Sequence, residues 1–373
     1  MKLKTILIAG GGPAGALCGE RLARAGFAVT LFEERRGWEK PCGGGVTWKT
    51  LERYPFLLDG ALEKKLLRRA ELIAPSGRRA AFDLTRPLAM YSRAALNDFL
   101  LRRAEAAGCR VVAARVTAAT TNGSLRVEST QGEFSGDFLV VATGARNSLG
   151  LTGDGWRPVP RDLELTFGYY LPEEGDCLRV GFLPDFEGYL WSFPRADHLA
   201  VGICGKMDKN TSAALKEKLH RFLADEDIPI AGGKLYSHLL PSLGRRSWKH
   251  LPLLGRGWAR VGDAAGLVDP ITGEGIYYAL RSGELLAEAL IAGEPAGYPA
   301  RVERDFAREL ACAARWQPTF YRGRWLGAAT TERMVAVAER SRRFRRLLDD
   351  LFAGSQGYRS LKWRLLRMLL PAS

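Results

Sequence analysis

Thr5-Ile-Leu-Ile-Ala-Gly-Gly-Gly-Pro-Ala-Gly-Ala-Leu-Cys-Gly-Glu-Arg-Leu-Ala-Arg24 is the stretch that decides the fold. Residues 4–9 read as a buried parallel strand that runs straight into a glycine turn. Ala14 to Ala25 predicts a helix stopped by Gly26, and Ala28 to Phe32 a second strand ending in Glu33-Glu34. Together these form one βαβ unit. Within the turn, Gly10 permits the sharp bend, Gly12 lets backbone approach a pyrophosphate, and Gly15 lets the helix pack on the sheet. With Ala14 they open a helix whose N-terminal N–H groups and dipole favour phosphates. Glu33 stands 18 residues beyond Gly15, where a carboxylate can accept hydrogen bonds from ribose hydroxyls. Lys2 and Lys4 before an apolar run ending near Cys18 could be misread as a secretion signal. Gly10 to Pro13 break the helix that such a signal needs, so the strand-and-turn reading is preferred.

Further along, two strand-like runs at 68–84 flank Pro75-Ser76-Gly77, a hairpin signal, and a helix follows from Ser92 to Ala107, closed by Gly108. Strands are predicted at 110–117 and 124–129, and Asp137 to Gly144 reads as another buried strand ending at glycine. Residues 151–249 change character, with aromatic-rich strand segments at 165–171, 178–183, 188–194 and 198–204 and a hairpin turn at Arg195-Ala-Asp-His198. From 258 the pattern of short strand, glycine turn and long helix (274–292) returns, and the remainder is helical and Arg-rich. The fold class implied is α/β: a Rossmann-like nucleotide-binding domain, an inserted β-rich mixed-sheet substrate domain and a helical C-terminal segment. The expected division is 1–58 plus 91–150 plus 250–295 for the first, 59–90 plus 151–249 for the second, and 296–373 for the third.

Bulk properties narrow the function. The 373 residues carry a net charge of +14, and residues 301–373 supply +9 of it, with 16 Lys and Arg against 7 Asp and Glu. A basic tail, unlike a uniformly basic surface, points to an anionic surface of some kind. No nucleic-acid module is present, so a nucleic-acid partner is not expected. Six scattered cysteines without a CxxC pair suit a reduced, cytoplasmic setting, and the four dispersed histidines offer no metal site. No run of about 18 apolar residues exists to span a membrane.

A second glycine-rich string lies some 250 residues downstream: Arg260-Val-Gly-Asp-Ala-Ala-Gly-Leu-Val-Asp-Pro-Ile-Thr-Gly-Glu-Gly-Ile276. It places a carboxylate after a strand, then a glycine-rich start to a helix. With the first motif it resembles the flavoprotein fold of the p-hydroxybenzoate hydroxylase class, which binds FAD rather than NAD at the GxGxxG site. The resemblance implies that Asp263 binds a ribityl hydroxyl. It also implies that Gly273, Gly275 and Ile276 face the O2/N1 edge of the flavin, where the helix dipole stabilises negative charge.

Two further strings are similar to those of the geranylgeranyl reductases within that class. Lys40-Pro41-Cys42-Gly43-Gly44-Gly45 looks like their Cys-Gly-Gly-Gly loop, and Tyr189-Leu-Trp191-Ser-Phe193-Pro194 like their Tyr-x-Trp-x-Phe-Pro signature. The resemblance covers most of residues 1–295. It implies that Cys42, Gly43 and Gly45 pass close to the isoalloxazine, that Arg93 contacts FAD and that Val116 lies by the adenine. Tyr189 and Trp191 would wall a lipid cavity, and Cys42, Tyr189 and Trp191 are the expected catalytic residues. Read without the resemblance, Cys42 equally suits a small buried residue, and the Tyr189–Trp191–Phe193 stripe suits a core better than a ligand site.

The activity so implied is reduction of isoprenoid C=C bonds, with NAD(P)H as electron donor and a prenyl lipid as substrate. A FAD-dependent monooxygenase or halogenase of the same class is the alternative, and a non-enzymatic flavoprotein a third. Ala142-Thr143-Gly144-Ala145-Arg146 has Thr where aromatic hydroxylases carry Asp, which tells against the alternative. The basic, apolar segment Arg359 to Leu370 suits either peripheral contact with the inner membrane face or a helix packed on the domain.

Overall fold

The computed structural model describes residues 3–121, 124–146, 149, 159–248, 250–325 and 327–368. The expected domain boundary at 150–151 lies outside them. A six-stranded sheet runs from edge to edge as β16 (Leu254–Gly255), β17 (Trp258–Arg260), β10 (Phe138–Val141), β1 (Thr5–Ala9), β2 (Ala28–Phe32) and β6 (Arg110–Val112). It is parallel except at the β16–β17 edge. β1 is buried on both faces: Ile6 and Ile8 pack with residues of the helices on one side, and Leu7 and Ala9 pack with Ala119, Leu125 and Val127 on the other. α1 (Pro13–Arg24) packs between α3 (Arg93–Ala106) and α6 (Ile276–Ile291). Ser92 caps α3 by accepting the Ala95 N–H at 3.3 Å.

Where one strand is predicted over 110–117, the chain makes two. The Ala114 N–H closes a tight turn on the Val112 carbonyl at 2.8 Å. The chain then leaves the first sheet as β7 (Val116–Thr120), which joins β8 (Leu125–Ser129) and β9 (Gly132–Gly136) in a separate three-stranded sheet.

The largest sheet has the order β15 (Lys234–Pro241), β11 (Leu163–Leu171), β14 (Leu199–Lys206), β13 (Gly188–Pro194), β12 (Cys177–Gly181), β4 (Lys65–Ile73), β5 (Arg79–Met90) and β3 (Gly45–Val46). The predicted turn at 195–198 joins β13 to β14, closed by the Arg195 N–H on the His198 carbonyl at 2.7 Å. One face of this sheet is covered by α4 (Ser212–Asp225), a helix not anticipated from sequence. Its Leu215, Leu219, Phe222 and Leu223 pack on Phe167, Leu190, Val201 and Ile203. Because side chains alternate along a strand, Thr166, Tyr189, Trp191, Phe193, Cys204 and His238 point the other way.

The short helices α2 (Trp48–Arg53), α5 (Arg245–Trp248) and α7 (Tyr298–Val302) make connections. α8 (Arg308–Arg322), α9 (Thr330–Arg340), α10 (Arg342–Phe352) and α11 (Tyr358–Met368) form the helical C-terminal region. Tyr321, Val335, Ala338 and Leu348 from three of them close over Phe82, Leu84 and Phe182 at the β4–β5 end of the large sheet. Among the described residues no helix is long and apolar enough to cross a membrane.

Candidate functional site

A cavity of about 850 Å³ opens between the parallel sheet and the aromatic face of the large sheet. That is at the upper end of the roughly 300–1,000 Å³ usual for ligand pockets. Its first wall is the glycine turn. Gly10 has φ of +107°, and a Cβ there would run into the Ala142 carbonyl oxygen. Gly12 borders open space, with no atom within 4 Å of where a Cβ would stand. A Cβ on Gly15 would strike the Gly10 carbonyl, so this glycine serves helix packing and does not line the cavity. Glu33 is fixed at the end of β2 by two backbone N–H groups, Gly11 to Oε2 and Arg35 to Oε1, each at 2.8 Å. Ala14, Glu33 and Val116 all line the cavity.

The Cys42 loop forms the roof. Gly44, at φ +84°, is pinned where a Cβ would come within 2.5 Å of the Tyr91 carbonyl and 2.9 Å of Arg195 Nε. Arg195 is buried to 1 % exposure and donates to the Cys42 carbonyl and, at 2.5 Å, to Glu39. Glu39 in turn accepts the Ser92 hydroxyl at 2.6 Å and the backbone N–H groups of Arg93 (2.9 Å) and Ala94 (3.0 Å). One carboxylate thus ties the loop to the start of α3. Burial pushes the Cys42 thiol up, but Arg93, Arg195 and the Gly44 N–H (3.3 Å from Sγ) outweigh it, leaving the thiol below its ordinary value. Cys42 and Gly43 line the cavity; Gly45 does not, because it sits in β3 opposite Met90.

The second glycine string forms the floor. Asp263 lies 2.8 Å from Lys40 Nζ. Burial works against its charge, and Lys40 more than compensates, holding the carboxyl below the usual range. Beside this pair, burial and the Lys40 charge push His238 down to about 3, so its ring is neutral. Beyond it, consecutive carbonyls are each held by a side chain: Pro270 by Gln317 Nε2 (2.9 Å), Ile271 by Tyr321 (2.5 Å) and Thr272 by Tyr189 (2.7 Å). The Asp269 carboxylate accepts the Tyr358 hydroxyl at 2.7 Å. β13, α8 and α11 therefore clamp the loop that presents Gly273, Gly275 and Ile276 to the cavity.

The last wall is aromatic. Trp191 lies flat on β14 because Gly202 has no side chain; a Cβ there would penetrate the indole. Tyr236 occupies the equivalent seat over Gly168. Tyr189, Trp191 and Phe193 follow one another with ring centroids 5.8 and 6.4 Å apart. Phe193 also closes on Gly43, which a Cβ would bring to 2.6 Å.

These walls fit FAD. A long cavity starts at a helix N-terminus, passes an anchored carboxylate and ends at a flat aromatic face. Arg93, 4 % exposed, lines it with a buried Nε that has no hydrogen-bond partner among the described residues, a donor suited to a phosphate. Of the expected residues, Gly10, Gly12, Ala14, Glu33, Cys42, Gly43, Arg93, Val116, Tyr189, Trp191, Asp263, Gly273, Gly275 and Ile276 meet here. Sequence reading missed Glu39, Lys40, Arg195, Gly202, His238 and the clamp residues Gln317, Tyr321 and Tyr358. Arg195 and Lys40 stood inside the quoted strings, but nothing in their spacing marks them.

Comparison with known proteins agrees with this layout. Residues 8–50 match the family of NAD(P)-binding Rossmann-like domains. The chain is 33% identical over 341 residues to the chloroplastic geranylgeranyl diphosphate reductase of Oryza sativa subsp. japonica, an alignment spanning 82% of this chain and 70% of that protein. A solved geranylgeranyl bacteriochlorophyll reductase-like protein from Thermoplasma acidophilum superposes with a TM-score of 0.80 at 20% identity, over 98% of this chain and 100% of its own. A flavin-dependent brominase superposes with a TM-score of 0.71 at 19% identity, over 94% and 93%. The last two likenesses are of fold alone.

Proposed function

The chain belongs to the geranylgeranyl reductase family of FAD-dependent oxidoreductases, and on that premise we propose that it saturates C=C bonds of a prenyl lipid. The observation that carries this reading is the continuity of one cavity, from the Gly10–Gly12 turn to the Tyr189–Trp191–Phe193 wall. Gly10, Gly12, Ala14 and the N-terminus of α1 hold the pyrophosphate, Glu33 a ribose, Val116 the adenine side, and Arg93 a phosphate oxygen. Asp263 takes a ribityl hydroxyl, and Gly273, Gly275 and Ile276 face the flavin edge. Gly15 and Gly45 support this shell from behind. When bound, FAD supplies the hydride, and NAD(P)H is the donor that replenishes it.

The chain's own contribution is a dry cavity and a proton. An isolated alkene is a poor hydride acceptor, so a positioned acid must build positive charge at carbon. Cys42 is the better candidate. Once its proton is given up, the thiolate is stabilised by Arg93 and Arg195. Tyr189 is a poor acid: burial pushes its hydroxyl well up, and its proton is engaged by the Thr272 carbonyl. We assign Tyr189 and Trp191 to shaping the apolar wall and holding the flavin loop. The division into a FAD-binding part, a substrate sheet and a helical C-terminal part follows the same reading. So does contact of α10 and α11 with the inner face of a membrane.

The test is anaerobic incubation of FAD-loaded, dithionite-reduced enzyme with a prenyl lipid. A product heavier by two hydrogens per double bond supports reduction. Product that gains oxygen or halogen, and only in air, would instead make the chain a monooxygenase or halogenase. Mixing the yellow protein with NADH and with NADPH tests the donor: bleaching by neither removes the nicotinamide from the scheme.

A further inference from the structure

The sequence Ser341-Arg-Arg-Phe-Arg-Arg-Leu-Leu348 folds as a capped helix, the Ser341 hydroxyl accepting the Phe344 N–H at 3.2 Å. Phe344, Leu348 and Leu351 recur at helical spacing and turn inward, toward the cluster over β4 and β5. Arg345 is occupied by the carbonyls closing α9, Ala338 at 2.9 Å and Glu339 at 3.0 Å. Arg343 and Arg346 are left to face α11, which returns alongside after the turn at Gly354.

From α11, Arg364 and Arg367 point into the same recess, and these four arginines line a shallow, open cleft of about 300 Å³. Arg364 is braced by Asp350 and by Gln356 Oε1 at 2.8 Å. Arg343, Arg346 and Arg367 have no ion-pair partner among the described residues. The other acid of α10, Asp349, is spent on the Thr85 N–H at 3.0 Å. Converging guanidiniums repel one another unless an anion sits between them. Their planar forks suit phosphate oxygens better than any other common anion except carboxylate. Beside the cleft, α11 exposes Trp363 (66 %) and Leu366 (44 %), the pairing of aromatic and aliphatic side chains with arginines that suits a lipid interface. The apolar face of α10 is continuous with the cluster that Tyr189 and Phe193 join from the cavity wall.

We propose that the α10–α11 cleft is a binding site for the phosphate group of a lipid. That phosphate belongs either to an anionic bilayer or to the head of the prenyl substrate itself; the second source rests on the reductase reading. The site is distinct from diffuse attraction to negative charge, because two helices deliver its arginines to one point.

The experiment compares the full-length holoenzyme with R343Q/R346Q/R367Q, and with R342Q/R359Q/K362Q as a variant of equal charge outside the cleft. Cosedimentation uses phosphatidylcholine vesicles with and without phosphatidylglycerol. At about fivefold per arginine, the scale of one net hydrogen bond to a phosphate oxygen, the cleft variant should lose roughly 100-fold in affinity for the anionic vesicles. The control should lose far less, and flavin content and melting temperature should stay unchanged in both. A parallel arm measures KM for geranylgeranyl diphosphate and for geranylgeraniol in detergent. A KM rise confined to the diphosphate identifies the substrate head as occupant, whereas a loss confined to vesicles identifies the bilayer. Equal losses in the two variants, or no loss in either arm, overturn the cleft. Vesicle binding does not depend on turnover, so a wild-type protein that binds anionic vesicles yet reduces no alkene would sink the reductase reading alone.

Discussion

Lys40 Nζ lies 2.8 Å from Asp263 Oδ2, joining the loop after β2 to the loop after β17 across 223 residues of sequence. Both ends face the cavity that holds the cofactor in our reading. Asp263→Asn should raise the dissociation constant for FAD at least roughly tenfold, the scale of one lost charged hydrogen bond, as read by flavin fluorescence titration. Unchanged affinity would show that the carboxylate is not a ligand. Lys40→Met should cost the flavin-free protein about 2 kcal/mol in urea unfolding. That is below the roughly 3–5 kcal/mol of a fully buried broken pair, because both side chains keep some solvent.

Gly202 is the seat of Trp191. Gly202→Ala should drive the indole toward the cavity, at an overpacking cost of about 1–3 kcal/mol. Turnover of prenyl substrate should fall while bleaching of the flavin by its donor stays at the wild-type rate. Wild-type turnover in this variant would mean that the ring can shift harmlessly and does not shape the site.

Glu274 sits between Gly273 and Gly275, its carboxylate accepting the Thr47 hydroxyl at 2.8 Å. Burial raises it to about 7, against the pull of Thr47 and Lys49. A carboxyl raised on folding favours the native state while protonated. Its contribution is therefore complete below about 4.5 and is lost as pH climbs through about 7. The difference in melting temperature between wild type and Glu274→Gln should change across that window and be flat on either side. A difference constant from pH 4 to pH 8 would contradict the assignment.

Arg195 contributes to holding the Cys42 thiol down. Arg195→Met should move that thiol up and slow its alkylation by iodoacetamide at neutral pH, with Arg195→Lys intermediate because a point charge replaces the fork. The pH profile of alkylation, measured with the other five cysteines replaced, decides the matter. An unshifted profile would leave Arg195 a purely structural tie.

Much of this was legible beforehand, and the reasons are local. The strand–glycine turn–helix unit at 5–32 is specified by adjacent residues, so its limits fall within a residue or so of expectation. The turn at Arg195–His198 announced itself in the same way. α4 was missed because the strands around it dominate 151–249. Yet Thr211 at its cap and Leu215, Leu219, Phe222 and Leu223 at helical spacing were there to be read. The break after Val112 leaves no mark in composition, since both halves suit a strand. Arg195 and Glu39 gain their roles from neighbours more than fifty residues away, and His238 from burial and from Lys40, 198 residues off, which no local pattern encodes.

The clamp on residues 269–272 has a consequence for how the protein is made. Tyr358 emerges from the ribosome 95 residues after Asp263, which at about 5–20 residues per second is some 5–20 s later. Until then Asp269 lacks its hydroxyl partner and the flavin loop lacks its last brace. The residues that line the nucleotide half, Gly10 to Arg146, are all made long before Tyr358. Nascent chains should therefore retain adenine nucleotides before they retain flavin, and the flavin loop is fully braced only once Tyr358 has been made.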